Sequence, residues 1–278
     1  MIEILTHTLK DTLITLPFLF LAYLVMEYIE HKAENLSDFI KKSRVATLLG
    51  SVCGIIPQCG FSASAAGLFS GGLITPGTLV AVFLATSDEM LPILIAKQAP
   101  VPMIIKVLIF KFAGAVITGY LIDLLYKRKK EKSIHDLCHE SGCHCEEHEG
   151  VVIPALIHTA KVAVFIFAVT FILTAVIHHI GEDALAGFIL NKPVIGNLLA
   201  ALIGLIPNCA ASVVITELYL SGAMSAGAML SGLFVGAGVG LAVLFRTNKN
   251  IKENLMLTLI LFISGVILGL IFGLIPIW

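Results

Sequence analysis

The sequence predicts an all-α polytopic membrane protein of two inverted-topology repeats, each with three transmembrane helices plus one re-entrant or broken-helix hairpin. Three observations predict it. Of 278 residues, 58% are hydrophobic and 13% charged, against about 25% charged in a soluble globular domain; mean hydropathy is +0.97. The apolar runs are continuous rather than alternating and exceed the ~20 residues that cross ~30 Å of hydrocarbon as a helix, which disfavours a β-barrel. The chain also repeats itself. "LTHTLK" at 5–10 recurs as "LIHTAK" at 156–161. Pro57, Cys59, Ser62, Gly72 and Gly77 match Pro207, Cys209, Ser212, Gly222 and Gly227, and Phe112 and Gly119 match Phe262 and Gly269. An ordered series at an offset of 150 or 151 residues marks a duplication. Residues 1–126 are repeat 1, 127–150 a connecting loop and 151–278 repeat 2.

Each half opens with a long apolar helix, over 4–29 and 152–180. The first has the length of a signal peptide but lacks a basic n-region and a small-residue cleavage site, and its recurrence mid-chain predicts that it is retained. An interrupted segment follows, at 44–71 and 194–221. Its first arm, 44–56, makes only ~20 Å of helix, too short to span. Pro57 then removes a helix hydrogen bond and clashes with the preceding turn, and 60–71 forms a second short arm. Two further helices complete each half, at 77–97 and 102–126 and at 226–246 and 254–276. Counting each short arm as a helix gives about ten helical segments.

Basic residues fix the orientation. They cluster at Lys41, Lys42 and Arg44, in "KRKKEK" at 127–132, and at Arg246, Lys249 and Lys252. All three clusters fall on the cytoplasmic side only if the interrupted segment enters the membrane and returns. Each half then has an odd number of spans, the second half is inverted, and both termini lie outside the cytoplasm.

The interruptions carry the polar residues. "IPQCGFSAS" and "IPNCAASVV" place Pro57, Gln58, Cys59 and Ser62, and Pro207, Asn208, Cys209 and Ser212, at membrane depth. Non-helical backbone at that depth must be buried in protein or line a cavity. Inverted repeats with broken helices bind their substrate near the midplane, where the repeats meet. The alternative is that these small and polar residues only pack helices together; two copies at a proline break favour the two walls of one site. Further polar groups are asymmetric. Asp88 and Glu89 stand where repeat 2 has Gly238 and Val239, and Glu217 replaces Gly67. Ionisable groups at such depth are functional candidates by default. Asp88 and Glu217 are read as cation ligands and Glu89 as a coupling group; pairing with Lys106 or Lys111 is the alternative. His7, Lys10, His158 and Lys161 read as interfacial residues.

Within 133–150, His135, Cys138, His139, Cys143, His144, Cys145 and His148 suit borderline and soft metals such as zinc, copper, nickel or cobalt. Their spacing fits a chelating tract rather than a zinc finger. It would sense, deliver or buffer metal on the cytoplasmic side, where thiols stay reduced.

On "IPQCGFSASAAGLFSGGLITPGTLVAVFLATSDE" and "IPNCAASVVITELYLSGAMSAGAMLSGLFVGAG" the chain resembles the ten-helix heavy-metal exporters of bacteria and archaea, assigned variously to arsenic efflux and manganese transport. It is more distantly similar to permeases for trivalent organoarsenicals, which carry a proline–cysteine–glycine motif in each half. The resemblance implies metal or metalloid efflux by a secondary transporter of the cell (plasma or inner) membrane. Here each motif has one cysteine and Ala210 follows Cys209, which counts against a three-thiolate arsenite site. Asp88, Gln58, Asn208 and Glu217 suit manganese, whereas Cys59 with Cys209 would suit trivalent arsenic or Zn²⁺; the His/Cys tract favours a divalent transition metal.

No G-x-x-x-x-G-K-[ST] sequence is present, so the chain does not read as ATP-driven. No paired nucleophile and base marks an enzyme, and no basic stripe marks nucleic-acid binding. A small-solute permease remains the competing reading. The expected partners are a metal or metalloid ion and lipid, with homo-oligomerisation open. No tightly bound cofactor is expected; a transition-metal ion would serve as substrate or regulator.

Overall fold

The structure is a computed structural model and describes residues 44–56, 59–87, 90–126, 152–180 and 193–275, with most positions between 6 and 24. The described positions between 6 and 24 are all helical, and no strand occurs among the described residues. Repeat 1 continues with α1 (Arg44–Ile55), α2 (Cys59–Ser70), α3 (Pro76–Ala85), α4 (Met90–Ala96) and α5 (Val101–Leu125). Repeat 2 contains α6 (Val152–Ile180), α7 (Pro193–Gly204), α8 (Cys209–Leu220), α9 (Ala226–Val235), α10 (Val239–Thr247) and α11 (Ile251–Gly273).

The same local chemistry sets the elements in both halves. Thr75 caps α3 by accepting from the Thr78 amide, with Pro76 in the first turn, and Ser225 caps α9 by accepting from Ala228. Such caps satisfy amides that a helix start leaves without partners. α2 ends with Leu73 N donating to Leu68 O at 2.9 Å and Gly72 at φ 73°. α8 ends the same way, with Ala223 N donating to Leu218 O at 2.9 Å and Gly222 at φ 78°. A left-handed residue after the last turn is the usual glycine-terminated helix end.

Each interrupted segment forms two short helical arms, α1 with α2 and α7 with α8. Thr47 and Thr78 share a hydroxyl–hydroxyl hydrogen bond of 2.9 Å, placing the starts of α1 and α3 side by side. Further along, a side-chain carbon on Gly54 would lie 2.7 Å from the Val82 carbonyl oxygen and 2.8 Å from Ala85. α1 and α3 therefore run parallel, so α2 must return between them. In repeat 2, Asn197 lies by Gly227 and Gly204 against Gly232, so α7 and α9 are parallel as well. α5 runs back along α3, with Gly77 against Gly119, and α11 along α9, with Gly227 against Gly273.

The halves are inverted. Phe110 stacks on Phe272 with centroids 4.6 Å apart, while Gly114 meets Leu268. Residue numbers rise in α5 as they fall in α11, so these equivalent helices are antiparallel. Across the junction, α2 packs on α10 and α8 on α4.

Where the sequence predicts one helix at 77–97 and another at 226–246, each is divided. Thr86 leaves helical geometry at φ −52°, ψ 127°, and Gly238 sits at φ 52°. Counted across these breaks, Pro76–Ala96 and Ala226–Thr247 are long and apolar enough to cross a membrane, as are Val101–Leu125 and Ile251–Gly273. The two broken spans are mostly buried and the two continuous ones mostly exposed. Ile105, Ile109, Ile117 and Leu121 form an exposed apolar stripe on α5, repeated as Leu255, Leu259, Ile267 and Ile271 on α11. An outward apolar stripe of this kind suits contact with lipid tails. The chain is thus an all-α polytopic membrane protein with its broken helices inside.

Candidate functional site

The site is built from helix ends. α7 stops at Gly204 and α8 starts at Cys209, so Leu205–Asn208 form the tip of the second hairpin. Asn208, 4% exposed, is the cap of α8, its Oδ1 accepting from the Ala210 amide at 2.9 Å. One turn on, Ser212 Oγ donates to the Cys209 carbonyl at 2.7 Å, and Ser62 Oγ repeats this with Cys59 at 2.9 Å.

Beside this tip lie both breaks of the buried spans. Thr86, Ser87, Met90, Asn208, Ala211 and Ser212, with Leu233 and glycines 204, 232, 236 and 238, line a cavity of about 10 Å³. That is room for one water-sized particle. Thr86 Oγ1 donates to Val82 O at 2.8 Å and Ser87 Oγ to Ala85 O at 3.0 Å. The three lining hydroxyls thus spend their protons on backbone carbonyls. A hydroxyl so used retains acceptor lone pairs, so this wall offers oxygen acceptors suited to a cation.

The sequence-derived candidates are distributed as follows. Asn208 and Ser212 line the cavity, and Pro207 is half-buried in the turn before them. Cys209 is half-buried at the start of α8 and is not a lining residue. Cys59 and Ser62 occupy the pseudo-symmetric place, the first turn of α2, where Ser62 packs against Gly240 of α10. Pro57, Gln58, Asp88 and Glu89 lie outside the described residues; in the chain, Asp88 and Glu89 fall between Ser87 and Met90, both cavity residues. Glu217 stands apart from the cavity. Its carboxylate is 3.4 Å from Lys97 Nζ, and the side chains are 46% and 59% exposed. Lys111, named from sequence only as a possible carboxylate partner, is fully buried. Lys10 and Lys161 are exposed, while His7 and the side chain of His158 lie outside the described residues. So does the whole tract with His135, Cys138, His139, Cys143, His144, Cys145 and His148. Among the described residues no three His, Cys, Asp or Glu side chains gather as a metal cluster.

Two features escape the sequence reading. The second break in each half was signalled by "TSDE" facing "GAG" at equivalent positions, a pairing that marks discontinuous helices in repeat transporters. The other is a brace at the far end of α5. Asp123 accepts from Thr75 Oγ1 at 2.8 Å and Gly77 N at 2.9 Å, tying the start of α3 to the end of α5.

Residues 1–183, about two-thirds of the chain, match a family model described as "Putative, 10TM heavy-metal exporter". No curated protein and no solved structure matches.

Proposed function

The chain belongs to this family of ten-helix heavy-metal exporters, and from that premise we propose that it is a secondary-active transporter exporting a divalent transition metal, manganese favoured. The metal passes through the cavity where the broken spans meet the tip of the second hairpin. The observation that carries this reading is the donor set: acceptor oxygens of Thr86, Ser87 and Ser212 around a space for one small particle. Harder divalent ions such as Mn²⁺ prefer oxygen ligands, and among the described residues no cysteine lines the cavity. Neutral oxygens alone hold a divalent ion weakly, so Asp88 supplies the charge, with Gln58 and Asn208 as amide ligands from the two tips. Pro57 and Pro207 keep the tips non-helical, and Glu89 takes part in coupling.

In the membrane, each helical hairpin is re-entrant and the basic clusters face the cytoplasm. The tract at 133–150 then collects metal on the side from which export begins. A permease for arsenite, an organoarsenical or another small organic solute is the second reading; a cavity of about 10 Å³ favours an ion over a molecule of several heavy atoms.

The test is transport by purified protein in proteoliposomes, with and without residues 133–150, against Mn²⁺, Zn²⁺, Co²⁺ and arsenite. Mn²⁺ movement by both forms, abolished by Asp88→Asn, is expected. Movement of arsenite with no movement of any divalent metal overturns the assignment.

A further inference from the structure

Equivalent elements of the two halves are buried to different depths. α2 and α8 are the second arms of the two hairpins; eight of the twelve residues of α2 are buried, against five of the twelve of α8. Their partners across the junction follow suit, with five of nine residues buried in α10 and two of seven in α4. The sequence accounts for the tighter junction. Gly240 of α10 has no side chain, and a carbon there would lie 2.7 Å from Ser62 Cβ and 2.8 Å from the Ser62 carbonyl oxygen. At the equivalent place α4 carries Met90, whose side chain forbids so close a backbone approach. The cavity lies on the looser side. Met90 of α4 and Ala211 and Ser212 of α8 line it, and among the described residues none of α2 or α10 does.

Two turns beyond Ser62 and Gly240, the hydroxyls of Ser70 and Thr247 lie 2.6 Å apart and join α2 to α10. Each also reaches the carbonyl four residues back in its own helix, Ser70 to Ala66 at 2.8 Å and Thr247 to Val243 at 2.9 Å. A hydroxyl has one proton. Two protons therefore serve three contacts, and one hydroxyl gives up its own carbonyl to bridge the helices. When the helices part, that hydroxyl turns back to its carbonyl, so opening leaves no donor unpaired. The bond holds the junction shut and is easily undone. In repeat 1 the equivalent of Thr247 is Lys97, whose pair with Glu217 is exposed on both side chains.

We propose that the α2–α10 junction is the cytoplasmic gate of the transporter, closed by the Ser62–Gly240 contact and latched by the Ser70–Thr247 bond, with the α4–α8 junction as its outer counterpart. This rests on the export reading above, which sets Arg246, Lys249 and Lys252, at and beyond the end of α10, on the cytoplasmic face. The two halves build the same elements into one tight junction and one loose one, so this fold accommodates both packings. In the cycle they exchange. The inner junction loosens to admit metal from the cytoplasm while the outer one tightens, and the return to the present arrangement releases the metal outside. Rocking of this kind about a midplane site is how inverted repeats alternate access.

The paired variant Ser70→Cys with Thr247→Cys tests this in the full chain in proteoliposomes, with Mn²⁺ as probe. The hydroxyls are close enough for thiols in their place to form an S–S bond of about 2.05 Å, and peptide mass spectrometry reports whether that bond has formed. The unmodified chain, oxidised in parallel, sets the baseline for its own six cysteines. Oxidation of the paired variant should abolish Mn²⁺ transport, reductant should restore it, and Mn²⁺ binding to the oxidised protein should be retained. Transport at the baseline rate with the bond formed overturns the proposal. Loss of binding together with transport overturns it too, since that marks damage to the site rather than a locked gate. Should the paired variant fail to fold or to form the bond, hydrogen exchange in the unmodified protein decides. Mn²⁺ should change exchange in α2 and α10 in the opposite sense to α4 and α8; a change of one sense in all four, or none, overturns the proposal. No Mn²⁺ movement by the unmodified protein removes the export reading and this one with it; Mn²⁺ movement that survives the bond removes this one alone.

Discussion

The two breaks in the buried spans occupy equivalent places and have opposite chemistry. Repeat 1 leaves helical geometry at Thr86 and Ser87, which Asp88 and Glu89 follow in the chain, whereas repeat 2 breaks through Gly236, Ala237 and Gly238. The frame around them is the same: hydroxyl-capped helix starts, glycine-terminated hairpin arms and parallel first arms. Duplication therefore preserved the scaffold while the ionisable chemistry went to one half. Glycines on the other side let backbone approach closely and bring Leu233 and Gly236 to the cavity wall.

The sharpest way to break this comparison is at the acidic side. Asp88→Asn is expected to reduce Mn²⁺ transport at least ~100-fold, the upper end of losses for groups that support a metal site; proteoliposome flux measures it. A mild loss would mean that the polar break is not where charge is supplied. Next is the shared hairpin tip. Asn208→Ala should cost about 1 kcal/mol through the lost cap and ~10-fold in Mn²⁺ affinity. Asn208→Asp should restore the stability, as thermal unfolding in detergent would report. The preserved frame is tested by Gly54→Val and Gly204→Val. Each places carbon against backbone of the neighbouring helix and should cost ~1–3 kcal/mol; unequal costs would show that the halves are not mechanically equivalent. The smallest effect belongs to the exposed pair. Glu217→Gln or Lys97→Met should alter stability by about 0–1 kcal/mol, as solvent screening limits such pairs, and leave Mn²⁺ affinity within about twofold.

Much of the fold was legible in sequence because it depends on repetition and hydrophobic length. The offset of Pro57 and Pro207, with first arms too short to span, predicted hairpins, and parallel α1 and α3 display one. The second breaks were less legible. Pro76–Ala96 and Ala226–Thr247 retain the length and hydropathy of unbroken spans, and a polar run in a helix reads as a ligand before it reads as a bend. At the site, Asn208 and Ser212 could be named from their motif because capping is local chemistry. Glu217 could not be placed, since its position depends on α8 lying beside the end of α4 in the other half. Lys111 was visible only as a charge; that it reaches the Leu233 carbonyl follows from tertiary packing.

The exchange of partners across the junction bears on what half of this molecule is. α4 follows α3 in the chain yet is seated with α8, and α10 follows α9 yet is seated with α2. Neither half contains the neighbours its own segments need. Severing the chain between 127 and 150 should give two polypeptides that are each degraded when made alone and that rescue one another when made together. A founding gene encoding a single half would have had to insert in both orientations and assemble with itself.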